Sequence, residues 1–311
     1  FTKDYVLKNI YNINKEPLID GVIMEKVKII ADSGCNIDID MAKEYDISIL
    51  PFNINFKDKS YTDLYELSRE DFFIKYKESK ERVTTSMPSP GKFLKLLEEE
   101  YQKGYRNFIV FSITKKFSGI YQMMDMMKEE FVEENPDARI KIIDTNTATI
   151  AAIYPVIKAA IYAKDGMGLD EIYKKSLDNL KYCNVAGVVK NLDALVRGGR
   201  LPKTIAKLAN LISFSPVLCI EDGEIKLIKK VTGKKKSYKE LIKYLKKLCK
   251  KYKDYQIIIG GADSGEEIEI LKEGLSSEIE NALDFKIIDV TAVIGSHLGD
   301  GVIFCSVFPI N

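Results

Sequence analysis

One histidine, His297, and no tryptophan occur among 311 residues. With a single imidazole, no site can rest on paired histidines, and the chain has neither an HxxxH motif nor a Cys/His cluster. It also lacks an acidic metal pattern, so no metal site is expected. The five cysteines (Cys35, Cys183, Cys219, Cys249, Cys305) are odd in number, scattered and without a CxxC pair. That argues against a disulfide framework and fits a reducing cytoplasm. No GxGxxG or Walker-type loop is present, so no nucleotide cofactor is expected. No apolar run approaches the roughly 18 to 20 residues that cross a bilayer. Phe1–Tyr5 lacks the basic start and apolar block of a signal peptide. Neither sign of charge dominates: 47 Lys plus Arg face 46 Asp plus Glu, a net charge of +1. That balance argues against a general nucleic-acid binder.

What is present suits a two-domain α/β protein. Apolar residues make up 46% and charged residues 30%, enough for two cores under an ordinary soluble surface. Residues 1–26, rich in Asn, Ile, Tyr and Lys, read as an arm or added segment. From Val27 short strands and helices alternate. Strands are expected near 27–31, 47–52, 107–113 and 140–143. Helices are expected at 38–45, from Ser68 through Tyr76, at 88–101 and 118–132. Another is expected at 147–163, broken or kinked near Pro155. Alternation of this kind predicts an open, mostly parallel α/β sheet. Lys164–Gly168 is the expected boundary, dividing the chain into 27–166 and 167–311. Beyond it come strands at 185–189, 215–220 and 224–229, the last two joined by a Glu221-Asp222-Gly223 hairpin turn. A helix at 236–251, a strand at 255–260, a helix at 266–279 and strands at 285–290 and 301–307 complete a mixed, two-layer α/β unit.

Ligands of open α/β sheets bind beyond the carboxyl ends of the strands. Three hydroxyl-rich turns are expected there: Asp32-Ser33-Gly34, Thr84-Thr85-Ser86 and Thr114–Gly119. Ser118 stands at the start of a helix, where free amides and the positive dipole end favour a carboxylate or phosphate. An N-cap serine serves helices equally often for purely structural reasons. Arg197-Gly198-Gly199-Arg200 could clamp an anion; it also reads as a helix C-cap with Pro202 opening the next helix. Met123, Met124, Met126 and Met127 sit at helical spacing, usually a core signature, but one that also suits an apolar tunnel. His297 lies among Gly295, Gly299 and Gly301. A lone histidine in such a run is often only a polar residue in a strand-to-strand turn. The glycines around it and the hydroxyls elsewhere favour a ligand site instead.

Five motifs follow one another in order: Asp32-Ser33, Thr84-Thr85-Ser86-x-Pro-Ser-Pro-Gly, Ser118-Gly119-x-Tyr121-Gln122, Arg197-Gly198-Gly199-Arg200, and Gly295-x-His297-x-Gly299-x-Gly301. Together they resemble the DegV family of bacterial fatty-acid-binding proteins, from about Val27 to the C-terminus. The resemblance implies a DegV/dihydroxyacetone-kinase-like fold: an N-terminal three-layer α/β/α domain with a mainly parallel sheet, and a C-terminal two-layer α/β domain with a mixed sheet. It implies a long-chain fatty acid between them, its carboxylate held by Thr85, Ser118 and His297. Thr84, Ser86, Gly119, Ser296, Ser33 and Arg200 are secondary candidates. It further implies a carrier in phospholipid synthesis, without chemistry of its own, that presents the carboxylate to a partner ATP-dependent fatty acid kinase. No cofactor and no nucleic acid are implied, and contact with a membrane surface would be transient.

The chain departs from the family pattern at Met87, where Gln is usual, at Lys115 and Lys116, where small residues are usual, and at Asp300, where Pro is frequent. Asp300 could hold His297 by a hydrogen bond or only solvate the turn. Two other functions fit the residues. Ser118 and His297 could form a nucleophile–base pair for acyl hydrolysis, although the G-x-S-x-G elbow is missing. A histidine could also capture a carbonyl ligand, as in dihydroxyacetone kinase subunits, although a hydroxyl cluster suits an anion better.

Overall fold

The computed structural model describes residues 25–79, 82–189, 192–207, 214–262, 264–299 and 301–310. The expected arm at 1–26 falls almost wholly outside them, as does Asp300. In chain order the strands are β1 (Val27–Asp32), β2 (Ile47–Leu50), β3 (Asn53–Asn55), β4 (Ser60–Thr62), β5 (Thr84–Ser86), β6 (Asn107–Ser112) and β7 (Arg139–Asp144). They continue as β8 (Ala186–Val188), β9 (Val217–Glu221), β10 (Glu224–Lys229), β11 (Tyr255–Ala262), β12 (Asp284–Asp289) and β13 (Val302–Pro309).

The first sheet runs β2-β1-β6-β7, parallel throughout. Every residue of β1 and β6 is buried, as expected of strands covered on both faces. Helices Pro90–Gln102 and Ile120–Glu134 pack against each other. Ile150–Lys164 packs on β1, and Leu169–Asn179, which follows the Lys164–Gly168 turn, packs on Ile150–Lys164 and β6. The second sheet runs β10-β9-β8-β13-β11-β12, antiparallel except for β11–β12. Along β13 the side chains alternate between two cores. Val302, Phe304 and Phe308 face the first sheet's helices, while Ile303, Cys305 and Val307 face the helix layer that contains Lys234–Cys249. Tyr154 stacks on Phe308 with ring centroids 4.9 Å apart, closing the two halves together.

The main sheets, the hairpin at Asp222-Gly223 and the Asp193–Gly198 helix with its Gly199 C-cap stand where the sequence places them. Both hairpin turn residues have positive φ (53° and 79°), the conformation of a type I′ turn. Several elements differ from expectation. Thr84–Ser86 is a strand in a third, antiparallel sheet β4-β3-β5, with Thr85 opposite Ile54. Three-residue strands carry too little period to be read from sequence. The helix through Pro155 is continuous over Ile150–Lys164, so it is not broken there. Tertiary burial on nearly every side outweighs the lost backbone bond there. The expected 266–279 helix is two helices, Gly265–Gly274 and Ser276–Asn281, meeting at Leu275. His297 lies on a short helix, Ala292–Leu298, where a turn was expected.

That helix fits because Gly295 has no side chain. A Cβ there would lie 2.6 Å from Phe72 Cε1 and 2.8 Å from Phe73 Cζ. Gly295→Ala should therefore lower stability by about 1–3 kcal/mol through overpacking. Gly91, with nothing near its missing Cβ, lies in an exposed helical turn, and Gly91→Ala should stabilise by about 0.5–1 kcal/mol. Thermal melts of both variants check this; equal melting temperatures would mean that the Phe72–Phe73 pair yields without cost.

Candidate functional site

Between the two main sheets lies a cavity of about 270 Å³, just below the roughly 300–1,000 Å³ usual for ligand pockets. Phe52 and Ile113 line it from the first half of the chain, Leu218, Ile225 and Phe304 from the second sheet, and Ile294 from the His297 helix. The hydrogen-bonding side chains in the lining are Thr85, Ser118, Thr149, Arg200 and His297. Gly119 and Met87 also line it. A second, polar cavity of about 380 Å³ is lined by Arg82, Arg197, Thr84, Tyr76 and Ser296, and it shares only His297 with the first. The imidazole thus stands in the wall between an apolar interior and a basic vestibule.

His297 Nε2 is 2.8 Å from Thr85 Oγ1, across 212 positions of sequence. The register of β5 on β3 aims Thr85 inward, and Thr84 and Ser86 to the other side. Ser86 is exposed, accepting from Asn55 Nδ2 at 3.3 Å. Ser118 Oγ accepts from the Ile120 amide at 3.2 Å; the helix itself begins at Ile120, two residues later than expected. Arg200 Nε donates to the Phe117 carbonyl at 3.0 Å, and its guanidinium also bonds the Gly198 carbonyl. That arginine therefore ties the Arg197–Arg200 turn to the Ser118 loop while facing the cavity.

Besides Thr84 and Ser86, two more secondary candidates lie outside this cavity. Ser33 accepts from the Phe52 amide at 3.1 Å and is fully buried. Ser296 donates back to the Ala292 carbonyl at 2.8 Å within its own helix, and faces the vestibule. The Asp32-Ser33-Gly34 turn acts as a clamp: Asp32 accepts from the amides of Gly34 and Ile113, each at 2.8 Å. That fixes the end of β6 and the loop toward Ser118. Burial pushes the Asp32 carboxyl up to about 7, against these amide bonds. The methionines of the Ile120–Glu134 helix do not line the cavity. Met123 and Met124 are core and Met126 is exposed, whereas Met87 is the methionine at the wall. Lys116 pairs with Glu224 at 3.0 Å, latching the β9–β10 hairpin, one wall of the cavity, to the Ser118 loop.

Burial, then Arg200 and Arg82, depress His297 to about 4. At neutral pH the ring is uncharged, and its nitrogens divide between one donor and one acceptor. Ser118 and His297 line the same cavity, but the hydrogen bond of the imidazole goes to Thr85.

The family model described as "Uncharacterised protein, DegV family" matches residues 26–309. A DegV domain-containing protein of Caldanaerobacter subterraneus is 32% identical over 279 residues, covering 90% of this chain and 94% of that protein. One from Clostridium perfringens is 33% identical over 282 residues, covering 89% and 96%. Among solved structures, the fatty acid binding DegV family protein of Streptococcus agalactiae superposes with a TM-score of 0.82 at 27% identity, covering 92% of this chain and 100% of that one. The Streptococcus pneumoniae fatty acid kinase B3 protein loaded with linoleic acid does so at 0.77 and 23% identity, covering 92% and 100%, a likeness of fold.

The depressed imidazole makes a prediction about stability. Free histidine in the unfolded chain titrates near 6.5, so between pH 6.5 and 4 the unfolded state takes up a proton that the folded state refuses. Stability that is present above pH 6.5 is lost as pH falls through this window. His297→Gln should flatten that part of the profile relative to the parent, measured by denaturant unfolding at several pH values. The ring signals of the single histidine should stay neutral at pH 6 in NMR spectra. A ring that titrates near 6.5 in the folded protein would show that the imidazole is not sealed in the wall.

Proposed function

Because the chain belongs to the DegV family, we propose that it binds a long-chain fatty acid in the cavity between its main sheets and presents the carboxylate to a partner ATP-dependent fatty acid kinase. The observation that carries this reading is the Thr85–His297 pair in the wall of a mainly apolar cavity. Buried methylenes contribute about 0.8 kcal/mol each, so an apolar cavity supplies affinity without further design. The carboxylate still needs donors when it leaves water. In the Nε2–H tautomer the neutral imidazole donates to Thr85 Oγ1, which frees the Thr85 hydroxyl proton for one carboxylate oxygen. The Ser118 hydroxyl, which accepts from Ile120, keeps its own proton for the other. Arg200 and Arg82 add a positive field at the same end.

The neighbours support the class of ligand: the Streptococcus agalactiae protein is a fatty acid binding DegV protein and a Thermotoga maritima one a lipid binding protein. The kinase is suggested by the pneumococcal fatty acid kinase B3 protein, of the same fold. A carrier without chemistry of its own fits an imidazole bonded to Thr85 better than a Ser118 hydrolase does. Capture of a carbonyl would require His297 to give up that bond.

Purified protein should carry a free acid of about 14 to 18 carbons, as the family resemblance implies, found by native mass spectrometry and organic extraction. Thr85→Val and Ser118→Ala should each weaken fatty-acid binding tenfold to a hundredfold, the loss of a hydrogen bond to a charged group. Ser86→Ala, on the other side of β5, should leave affinity unchanged. Ligand binding should raise the His297 pKa, since a carboxylate stabilises the protonated ring; affinity then falls as pH rises through the bound-state value. A Ser86→Ala loss equal to that of Ser118→Ala, or ester hydrolysis abolished by Ser118→Ala, would overturn the reading.

A further inference from the structure

The net charge of +1 conceals a segregated surface. Residues 229–253 hold twelve lysines and one acid, Glu240. The helix Lys234–Cys249 turns Leu241, Leu245 and Leu248 into the second core. Its outer face carries Lys236, Lys239, Lys243 and Lys247, continued by Lys250, all exposed. Steps of three and four residues put these five on one stripe, about 21 Å long. Among the described residues none of the five has a carboxylate within salt-bridge distance. Glu240 borders the stripe, four residues from Lys236 and three from Lys243, without an ion pair to either; the other acids nearby pair off the stripe, Glu266 and Glu267 with Lys234 and Glu278 with Lys246. Lys229, Lys230, Lys251 and Lys253 extend the positive area.

We propose that this lysine stripe is a docking surface for an anionic lipid bilayer. Five features of its chemistry and position favour that partner. The stripe is all lysine, a hydrated point charge suited to diffuse attraction, and it lacks the arginine forks that read phosphates individually. It holds no exposed aromatic side chain on which nucleic-acid bases would stack. It has no apolar centre of the kind that anchors protein partners, and lysine is depleted at such interfaces. Basic residues near an anionic leaflet attract it additively. The stripe also lies on the face of the second sheet opposite the cavity, so docking leaves the Thr85–His297 end uncovered. The choice of a bilayer rests in part on the fatty-acid reading, since both the acid and its activated form partition into membranes.

The full-length protein would be mixed with vesicles of phosphatidylcholine alone, or of phosphatidylcholine with an equal part of phosphatidylglycerol, and sedimented. Fatty-acid content would be measured by mass spectrometry on the same samples. Binding should appear only with the anionic vesicles, fall as salt rises, and drop about fivefold for each stripe lysine changed to glutamine. A Lys236→Gln, Lys239→Gln, Lys243→Gln, Lys247→Gln variant should lose roughly several hundredfold, with its melting temperature and fatty-acid content unchanged. Protein without fatty acid that still binds anionic vesicles would overturn the proposed function and leave this surface standing. No binding to anionic vesicles, equal binding by the variant, or tighter binding to DNA than to these vesicles would overturn the surface itself.

Discussion

Everything at the site depends on how the seven-residue helix Ala292–Leu298 is seated. So short a helix has almost no intrinsic stability, so outside contacts must hold it. The Thr291 amide donates to Asn36 Oδ1 at 2.9 Å and the Thr291 hydroxyl to the Ser33 carbonyl at 3.0 Å. Both anchors belong to the turn after β1. Asp63 is fully buried beside the helix start; burial pushes its carboxyl up to about 6, while Ser33, Arg69 and the amides of Val293 and Ala292 hold it down. At the other side Gly295 lets the helix lie against Phe72 and Phe73. The aromatic cluster Phe56, Phe72, Phe73 and Tyr76 is thus the floor on which the imidazole is set.

Seating of this kind explains the charge state of His297. The ring is pushed from water and approached by two guanidinium groups, with no carboxylate among the causes that set its pKa. An imidazole so placed is a proton donor and acceptor without net charge, which under the proposed function would let the Thr85 hydroxyl give its own proton to the carboxylate. The arginines supply the opposite need, a positive field where a carboxylate would lie. Division of labour between a neutral relay and a nearby positive field avoids burying an unpaired cation in the wall.

Part of this was legible in the residues. Asp32-Ser33, Thr84–Ser86, Ser118 and His297 were recognisable as candidates because hydroxyls, glycines and a lone histidine are rare in combination. Their roles were less so. Ser33, a secondary candidate in sequence, instead joins Asp32 in clamping β1, β6 and the Phe52 amide together. The four methionines read first as core, with a tunnel as the alternative; Met123 and Met124 are core and Met126 is exposed. Phe52, Leu218, Ile225 and Phe304 carry no signal at all as cavity residues, since any of them would look the same in a filled core. A balanced total charge likewise hid the lysine stripe, because a sum over the chain has no geometry.

Local pattern determined the alternating elements, the two large sheets and the hairpin, since burial period and turn chemistry act within a few residues. What the tertiary structure alone decided was the short third sheet, the helix under His297 and the meeting of Thr85 with His297. The β3–β4 pairing is a local hairpin, but the pairing of β5 on β3, the seating of the helix and the Thr85–His297 contact join segments far apart in the chain, and no short stretch of sequence contains both partners.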